Sequence, residues 1–273
     1  MKTIEGRVAV ITGGASGIGR CVALEFARAG AHIAIADIDD AGLESTGSEL
    51  RALGVRVSTH RIDVSKREEI ERLRDEVLDA HGSVQILINN AGITLYGSIE
   101  QSKPEAIERQ LGINLMGVIY GVQTFLPLLK QQEESHIVNV SSMAAIAGIP
   151  MQSIYCASKA AVRAFSESLS AEMAGTNVGV TWLMPGAIRT TLLDKAGDEN
   201  LEVTQKLSSL LKKYAYRPET VAKHLLKHVR GKGGELRVTI ECEALYTMNR
   251  AAPSLVRASM RSAQRLANRF EKA

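Results

Sequence analysis

The sequence predicts an α/β fold built on an open parallel sheet. Three observations carry that prediction. Short β-branched runs alternate with longer patterns of helical periodicity along most of the 273 residues. A glycine-rich turn joins the first run to the first helix. Glycines and short polar residues suited to ligand contact recur just past the ends of the runs, and open parallel sheets collect ligands beyond the carboxyl ends of their strands. With 45% hydrophobic residues the chain can bury a large core as one unit.

Arg7 to Thr12 is a near-continuous apolar run, the pattern of a strand covered on both faces. Gly13-Gly14-Ala15-Ser16-Gly17-Ile18-Gly19 follows at once and opens a helix, marked by Ile18, Cys21, Val22, Phe26 and Ala29, that closes at Gly30. Strand, glycine turn and helix N-terminus together make an anion site. Free amides and the helix dipole point at a phosphate, and glycines let the backbone approach it. The next strand, His32 to Ala36, ends in Asp37, about twenty residues past the glycines, where a carboxylate accepts hydrogen bonds from the ribose hydroxyls of NAD and repels the extra phosphate of NADP. No Arg or Lys stands at Ala15 or Ile38 to favour that phosphate. The plainer reading makes Asp37, like Asp39 and Asp40, a cap of the following helix.

A helix from about Ala41 to Leu53 leads to a strand at Val55 to His60 and then to Asp63-Val64. Asp63 either bonds an adenine amine or caps the helix that starts near Ser65, marked by Ile70, Leu73, Val77 and Leu78. Val84 to Ile88 reads as a buried strand ending in Asn89-Asn90-Ala91-Gly92, whose side-chain amides brace neighbouring strands or line a ligand. From Pro104 to about Lys130 an almost continuous helical pattern is interrupted by Asn114. If buried, that amide needs partners, since an unsatisfied one costs roughly 1–3 kcal/mol; a kink holding a water and a surface position are the two solutions.

His136 to Val140 is the next strand, with Ser141-Ser142 at its end. Ala-rich periodicity from Tyr155 to about Ala174 predicts a helix that carries Tyr155 and Lys159, four apart, on one face. A phenol of unperturbed pKa about 10 is a poor acid-base group near neutrality, and an adjacent cation favours its phenolate form. Alone, Tyr-x-x-x-Lys reads as an ordinary helical contact; its company at the strand ends makes it a candidate acid-base pair. Val178 to Leu183 is a further strand, out of which Pro185-Gly186-Ala187-Ile188-Arg189-Thr190 turns. Residues from about 187 to 216 read as a flap over the strand ends or as a surface helical hairpin. Pro218 opens a helix to Val229, and Leu236 to Ile240 is a short last strand. The expected organisation is one domain over residues 1–240 and a helical extension over 241–273.

Composition narrows the function classes. Cys21, Cys156 and Cys242 are scattered, odd in number and without metal-ligand spacing, which points to a reduced, cytoplasmic protein and to no metal centre. No apolar run predicts a signal peptide or a spanning helix. The net charge of +3 is uneven: from Arg250 onward the chain carries net +5, leaving −2 for residues 1–249. Arg257, Arg261, Arg265 and Arg269 recur every four residues, while Val256, Met260, Ala263, Ala267 and Phe270 mark another side of a helix over 254–272. That stripe is the solvated face of a helix docked on its own or a partner subunit, or a weak contact with anionic lipid; a nucleic-acid contact is the least favoured reading.

Over about residues 5–240 the chain resembles the short-chain dehydrogenase/reductase family. The resemblance rests on Thr12-Gly13-x-x-x-Gly17-x-Gly19, Asn89-Asn90-Ala91-Gly92, Asn114, Ser142 placed thirteen before Tyr155, Lys159, and Pro185-Gly186 followed by Thr190. It implies a doubly wound, seven-stranded parallel sheet, the Rossmann fold, binding a nicotinamide dinucleotide, for which Asp37 favours NAD over NADP. It implies a catalytic set in which Tyr155 is the acid-base, Ser142 holds the substrate oxygen, Lys159 binds the nicotinamide ribose and lowers the Tyr155 pKa, and Asn114 anchors a water relay to Lys159. It implies cofactor contacts from Gly13, Ser16, Gly17, Ile18 and Gly19, from Asp37 on the adenosine ribose, and from Asp63 and Val64 on adenine. Further contacts are implied from Asn90, Ala91 and Gly92, and from Pro185, Gly186, Ile188 and Thr190.

The expected reaction interconverts a secondary alcohol and a ketone, on a mainly apolar substrate bordered by residues such as Ile93, Tyr96, Met143 and Ile149. A homodimer or homotetramer is expected, although about thirty residues beyond the last strand depart from the Asp-Gly-Gly ending of many tetrameric relatives. A non-catalytic dinucleotide-binding regulator on the same fold is the alternative; the complete set of Asn114, Ser142, Tyr155 and Lys159 argues against it. Cys156, beside Tyr155, is expected to pack rather than to react.

Overall fold

Runs rich in Val, Ile and Ala leave few polar groups to solvate, so they bury both faces and need helices above and below. In the computed structural model, which describes residues 1–190, 197–198, 215–231 and 233–270, nine strands appear in chain order. They are β1 (Val8–Thr12), β2 (His32–Asp37), β3 (Val57–Arg61), β4 (Ile86–Asn89), β5 (Leu95–Tyr96), β6 (Ser135–Val140), β7 (Val178–Met184), β8 (Gly197–Asp198) and β9 (Gly233–Arg237). Seven of them form one sheet in the order β3-β2-β1-β4-β6-β7-β9, every pairing parallel. β5 and β8 pair separately.

The helices are α1 (Gly17–Arg28), α2 (Asp40–Arg51), α3 (Arg67–His81), α4 (Pro104–Leu111), α5 (Gly117–Lys130), α6 (Ser153–Glu172), α7 (Pro218–Val229), α8 (Ile240–Ala251) and α9 (Pro253–Phe270). Alternation along each strand splits the core in two. Ala9, Ile11, Ile33 and Ile35 pack with Val22, Phe26 and Leu225 on one face. Val8, Val10 and Leu87 pack with Val77, Phe125 and Leu169 on the other. This is the parallel α/β sheet that the sequence predicts, in the doubly wound form that the resemblance implies.

Strand and helix ends shift by a residue or two, and two differences are larger. The last strand is Gly233–Arg237, and Ile240 already opens α8. Gly233 and Gly234 have positive φ of 85° and 103°, and a β-carbon on Gly233 would collide with the Val180 carbonyl; the glycines admit a close strand contact and let the strand start earlier than its apolar residues suggest. The Pro104–Lys130 stretch is interrupted by a π-helical segment, Gly112–Met116. By length and composition, with a mean hydropathy of 1.4, this stretch would also suit a membrane span, which the sequence reading did not anticipate. Here Val118, Val122, Phe125 and Leu129 of α5 are buried in the core of the sheet. Most of the expected flap, residues 191–196 and 199–214, lies outside the described residues.

Candidate active site

The strand order reverses between β1 and β4, and beyond their carboxyl ends lies a cleft of about 280 Å³. One wall is the glycine turn. Gly13 and Gly17 hold φ of 66° and 56°, a region that glycine enters without strain. A β-carbon on Gly13 would stand 2.7 Å from Asn90 Nδ2. Asn90 explains the tightness, donating through Nδ2 to the carbonyls of Thr12 at 3.0 Å and Gly13 at 3.1 Å. The backbone amides of Asn90 and Ala91 in turn donate to Thr12 Oγ1 at 3.0 and 3.2 Å. Bracing is therefore the work of the Asn90 side chain, and Asn89 does the same one strand over, donating to Asn139 Oδ1 at 2.9 Å.

Ser16, Ile18, Ala91 and Gly92 line the cleft with Gly13, Gly17 and Asn90. Gly19 does not. It lies behind the turn, where a β-carbon would collide with the Gly13 carbonyl and come within 2.6 Å of Asn90 Nδ2. Gly19 lets α1 pack closely on the turn.

Asp37 is not the helix cap: Asp39 caps α2, accepting from Gly42 N at 3.1 Å. The Asp37 carboxylate accepts from Ala15 N at 3.0 Å through Oδ2 and from Ile38 N at 2.8 Å through Oδ1, which fixes it beside the glycine turn. Nor does Asp63 cap α3, which starts at Arg67. Its Oδ1 accepts from the Ser65 amide at 3.0 Å and hydroxyl at 2.7 Å, leaving Asp63 and Val64 along the cleft.

At the other end α6 presents Tyr155 and Lys159 one turn apart, with Lys159 Nζ 5.9 Å from the centre of the Tyr155 ring. Lys159 Nζ donates to the Val140 carbonyl at 2.9 Å, and burial brings its pKa down to about 8. Ser142 caps a short turn, Met143–Ala145, accepting from Ala144 N at 3.1 Å. Burial pushes the Tyr155 phenol above its ordinary value, while a hydrogen bond with Ser142 acts in the opposite sense. In this structure desolvation is the larger of these two effects.

Asn114, in the π-helical segment, is fully buried and does not line the cleft. Its Oδ1 accepts from Ile93 N at 2.8 Å, and its Nδ2 donates to the Ile93 carbonyl at 2.9 Å and to Ser158 Oγ at 3.1 Å. Ile93 and Ser158 supply the amide's protein partners, and its Oδ1 and Lys159 Nζ lie 3.3 and 3.4 Å from where a Gly92 β-carbon would stand.

The Pro185–Thr190 turn closes the cleft. Arg189 N donates to the Tyr216 carbonyl at 2.9 Å and Tyr216 N to the Ala187 carbonyl at 3.0 Å. In such a parallel bridge the N–H and C=O of the intervening residue point the other way; Ile188, which lines the cleft, turns both away from Tyr216. Thr190 faces the glycine turn, its Cγ2 3.3 Å from where a Gly17 β-carbon would lie. Pro185 and Gly186 line the cleft beside them. The sequence reading missed Arg109 and Ile113, which also line it. They come from α4 and the π-helical segment, whose extra backbone turn defeats a reading by helical spacing.

A family model described as short chain dehydrogenase matches residues 7–201. The chain belongs to the short-chain dehydrogenase/reductase family. A probable oxidoreductase, EphD, of Mycobacterium tuberculosis is 37% identical over 260 residues, covering 92% of this chain. The chain spans 44% of that relative's length. A short-chain dehydrogenase/reductase from Burkholderia phymatum, solved in complex with NAD, superposes with a TM-score of 0.87 at 31% identity, over 93% of this chain and 96% of that one. An alcohol dehydrogenase from Thermococcus sibiricus, complexed with 5-hydroxy-NADP, gives a TM-score of 0.74 at 29% identity, over 85% of this chain and 95% of that one.

Short-chain dehydrogenases bind NAD or NADP, and this cleft fits such a dinucleotide. The left-handed glycines leave the turn bare of side chains, a carboxylate is fixed at one end, and Ile188, whose N–H and C=O turn away from Tyr216, lines the other. Cys156 is buried, with its Sγ accepting from Ile149 N at 3.3 Å. Burial raises its pKa, the opposite of an activated thiolate.

Proposed function

We propose that the protein is an NAD-dependent oxidoreductase that interconverts a secondary alcohol and a ketone. The observation that carries this reading is that Tyr155, Lys159 and Ser142 converge at one end of a cleft whose other end holds the glycine turn and Asp37. Bound nicotinamide supplies or receives the hydride at the substrate carbon. Tyr155 Oη takes the hydroxyl proton in oxidation and returns it in reduction. Ser142 Oγ donates to the same oxygen and favours the charge that develops there. Lys159 places a cation beside the phenol and the nicotinamide ribose, and Asn114 fixes the Ile93 backbone and Ser158 around it.

Asp37 favours NAD over NADP because a carboxylate at this strand end accepts from ribose hydroxyls and repels a phosphate. Arg61, opposite Asp37 in the sheet, pairs with Asp40, and Arg20 pairs with Glu49. An apolar alcohol in a reducing, cytoplasmic setting is the substrate class the surrounding residues suit. The test is a panel of hydroxysteroids, terpenoid alcohols, short diols and hydroxyacyl compounds, assayed by absorbance with NAD and NADP in parallel. Turnover should favour NAD by about tenfold or more, and Asp37→Ala should narrow that preference. Strict use of NADP by the wild type would sink the assignment of Asp37.

The protein forms a homo-oligomer on this reading, and α9 adds a basic surface to it. Val256 is buried, while Arg257, Arg261 and Arg265 are exposed on the other side of the helix. Removing residues 254–273 should leave the catalytic end intact and change either oligomer size or recovery on anionic vesicles. Unchanged light scattering together with unchanged vesicle sedimentation would refute a role for this helix in assembly or membrane contact.

A further inference from the structure

The helix that follows the last strand reaches back to both loops that carry the site. Glu241, in the first turn of α8, accepts from Ala187 N at 3.0 Å through Oε1. Gly186 has no room for a side chain, because its β-carbon would collide with Thr239 Oγ1 and with the Glu241 carboxylate. Cys242, next along α8 and wholly buried, donates through Sγ to the Met184 carbonyl at 3.3 Å. One turn of α8 thus seats the Met184–Ala187 segment from behind. Two turns on, Asn249 Nδ2 donates to the Ile146 carbonyl at 3.0 Å, at the end of the short turn that Ser142 caps.

These contacts act on different halves of the site. The Ala187 amide is held by Glu241 while the Ala187 carbonyl is held by Tyr216 N at 3.0 Å. A residue bonded on both sides restricts the backbone of its neighbour, Ile188, which lines the cleft. The Ile146 carbonyl, by contrast, belongs to the loop that aims Ser142 at Tyr155. Neither Glu241 nor Asn249 lines the cleft, so each acts only through the backbone it holds.

We propose that Glu241 and Asn249 are positioning residues with separate tasks, Glu241 setting the dinucleotide-binding turn and Asn249 setting the loop of the substrate hydroxyl donor. The proposal rests on the reading of the cleft as an NAD site. A helix N-terminus favours a carboxylate at position 241, and glutamine there retains an oxygen acceptor whereas leucine does not.

The experiment titrates NADH by its own fluorescence and measures kcat on an alcohol from the panel, in full-length wild type and in Glu241→Gln, Glu241→Leu and Asn249→Leu, with melting temperatures alongside. Glu241→Leu should weaken NADH binding about tenfold, and Glu241→Gln should stay within about twofold of wild type. Asn249→Leu should leave NADH binding unchanged and lower kcat about tenfold. Wild-type NADH binding in Glu241→Leu, equal loss in Glu241→Gln, or a shift of NADH binding in Asn249→Leu would each overturn the division of tasks. If Glu241→Leu does not fold, the Glu241→Gln and Asn249→Leu arms still decide it. A wild type that fails to bind NADH would instead sink the reading of the cleft.

Discussion

Tyr155→Phe should lower turnover by about a thousandfold while leaving NADH binding within about twofold of wild type, because the loss is that of a positioned proton carrier and not of a packing group. The ring stays, and with it the contact with Lys159; only the oxygen that takes the hydroxyl proton goes. The direction of the pH dependence follows from the same oxygen. Oxidation needs the ionised phenol, and burial holds the phenol above its usual pKa, so the wild-type oxidation rate should climb with pH on the alkaline side of neutrality. Reduction uses the neutral phenol, which stays protonated below its raised pKa, and should change little over the same range. Lys159, brought down to about 8, begins to lose its charge in the same range and limits how far oxidation climbs. Rates of the wild type and Tyr155→Phe measured in both directions from pH 6 to about pH 10 check this. Near-wild-type turnover in Tyr155→Phe would remove Tyr155 from the reaction.

Gly19→Ala is expected to weaken NADH binding between about fivefold and a hundredfold, the equivalent of roughly 1–3 kcal/mol of overpacking. Its added methyl would meet the Gly13 carbonyl and stand 2.6 Å from Asn90 Nδ2. Relief requires the turn to open or Asn90 to release the Thr12 and Gly13 carbonyls, and either change moves amides that point into the cleft. Gly148→Ala is the control, since nothing lies within 4 Å of its β-carbon position. Titration of both variants with NADH, with urea denaturation to separate binding from stability, reads the effect. Wild-type affinity in Gly19→Ala would show that the turn does not need its observed shape to hold the dinucleotide.

Much of the site is legible in the sequence because much of it is local. β1, the glycine turn and α1 follow one another within some twenty residues of chain, and glycine supplies the two left-handed positions wherever the turn sits. Tyr155 and Lys159 need only a helix to meet, and that helix shows in Ala-rich periodicity. Strand-end placement also brings Asp37, Asp63, Asn90, Ser142 and Gly186 to one cleft, since parallel strands all expose their carboxyl ends on the same edge. Gly19 and Asn114 show where this reasoning runs short. Motif position marks them, but their partners, Gly13 and Asn90 for the one and Ile93 and Ser158 for the other, show only in the packed chain.

By itself, the sequence determined the parallel α/β fold, the glycine turn and the order of the strand-end residues, because periodicity and turn chemistry depend on neighbours a few positions away. Only the tertiary structure decided which residues face the cleft, that burial raises the Tyr155 phenol against the pull of its hydrogen bond, and that Glu241 and Asn249 reach the site loops from 54 and 103 positions away. Desolvation and long-range contact belong to the packed chain, and no local pattern encodes them.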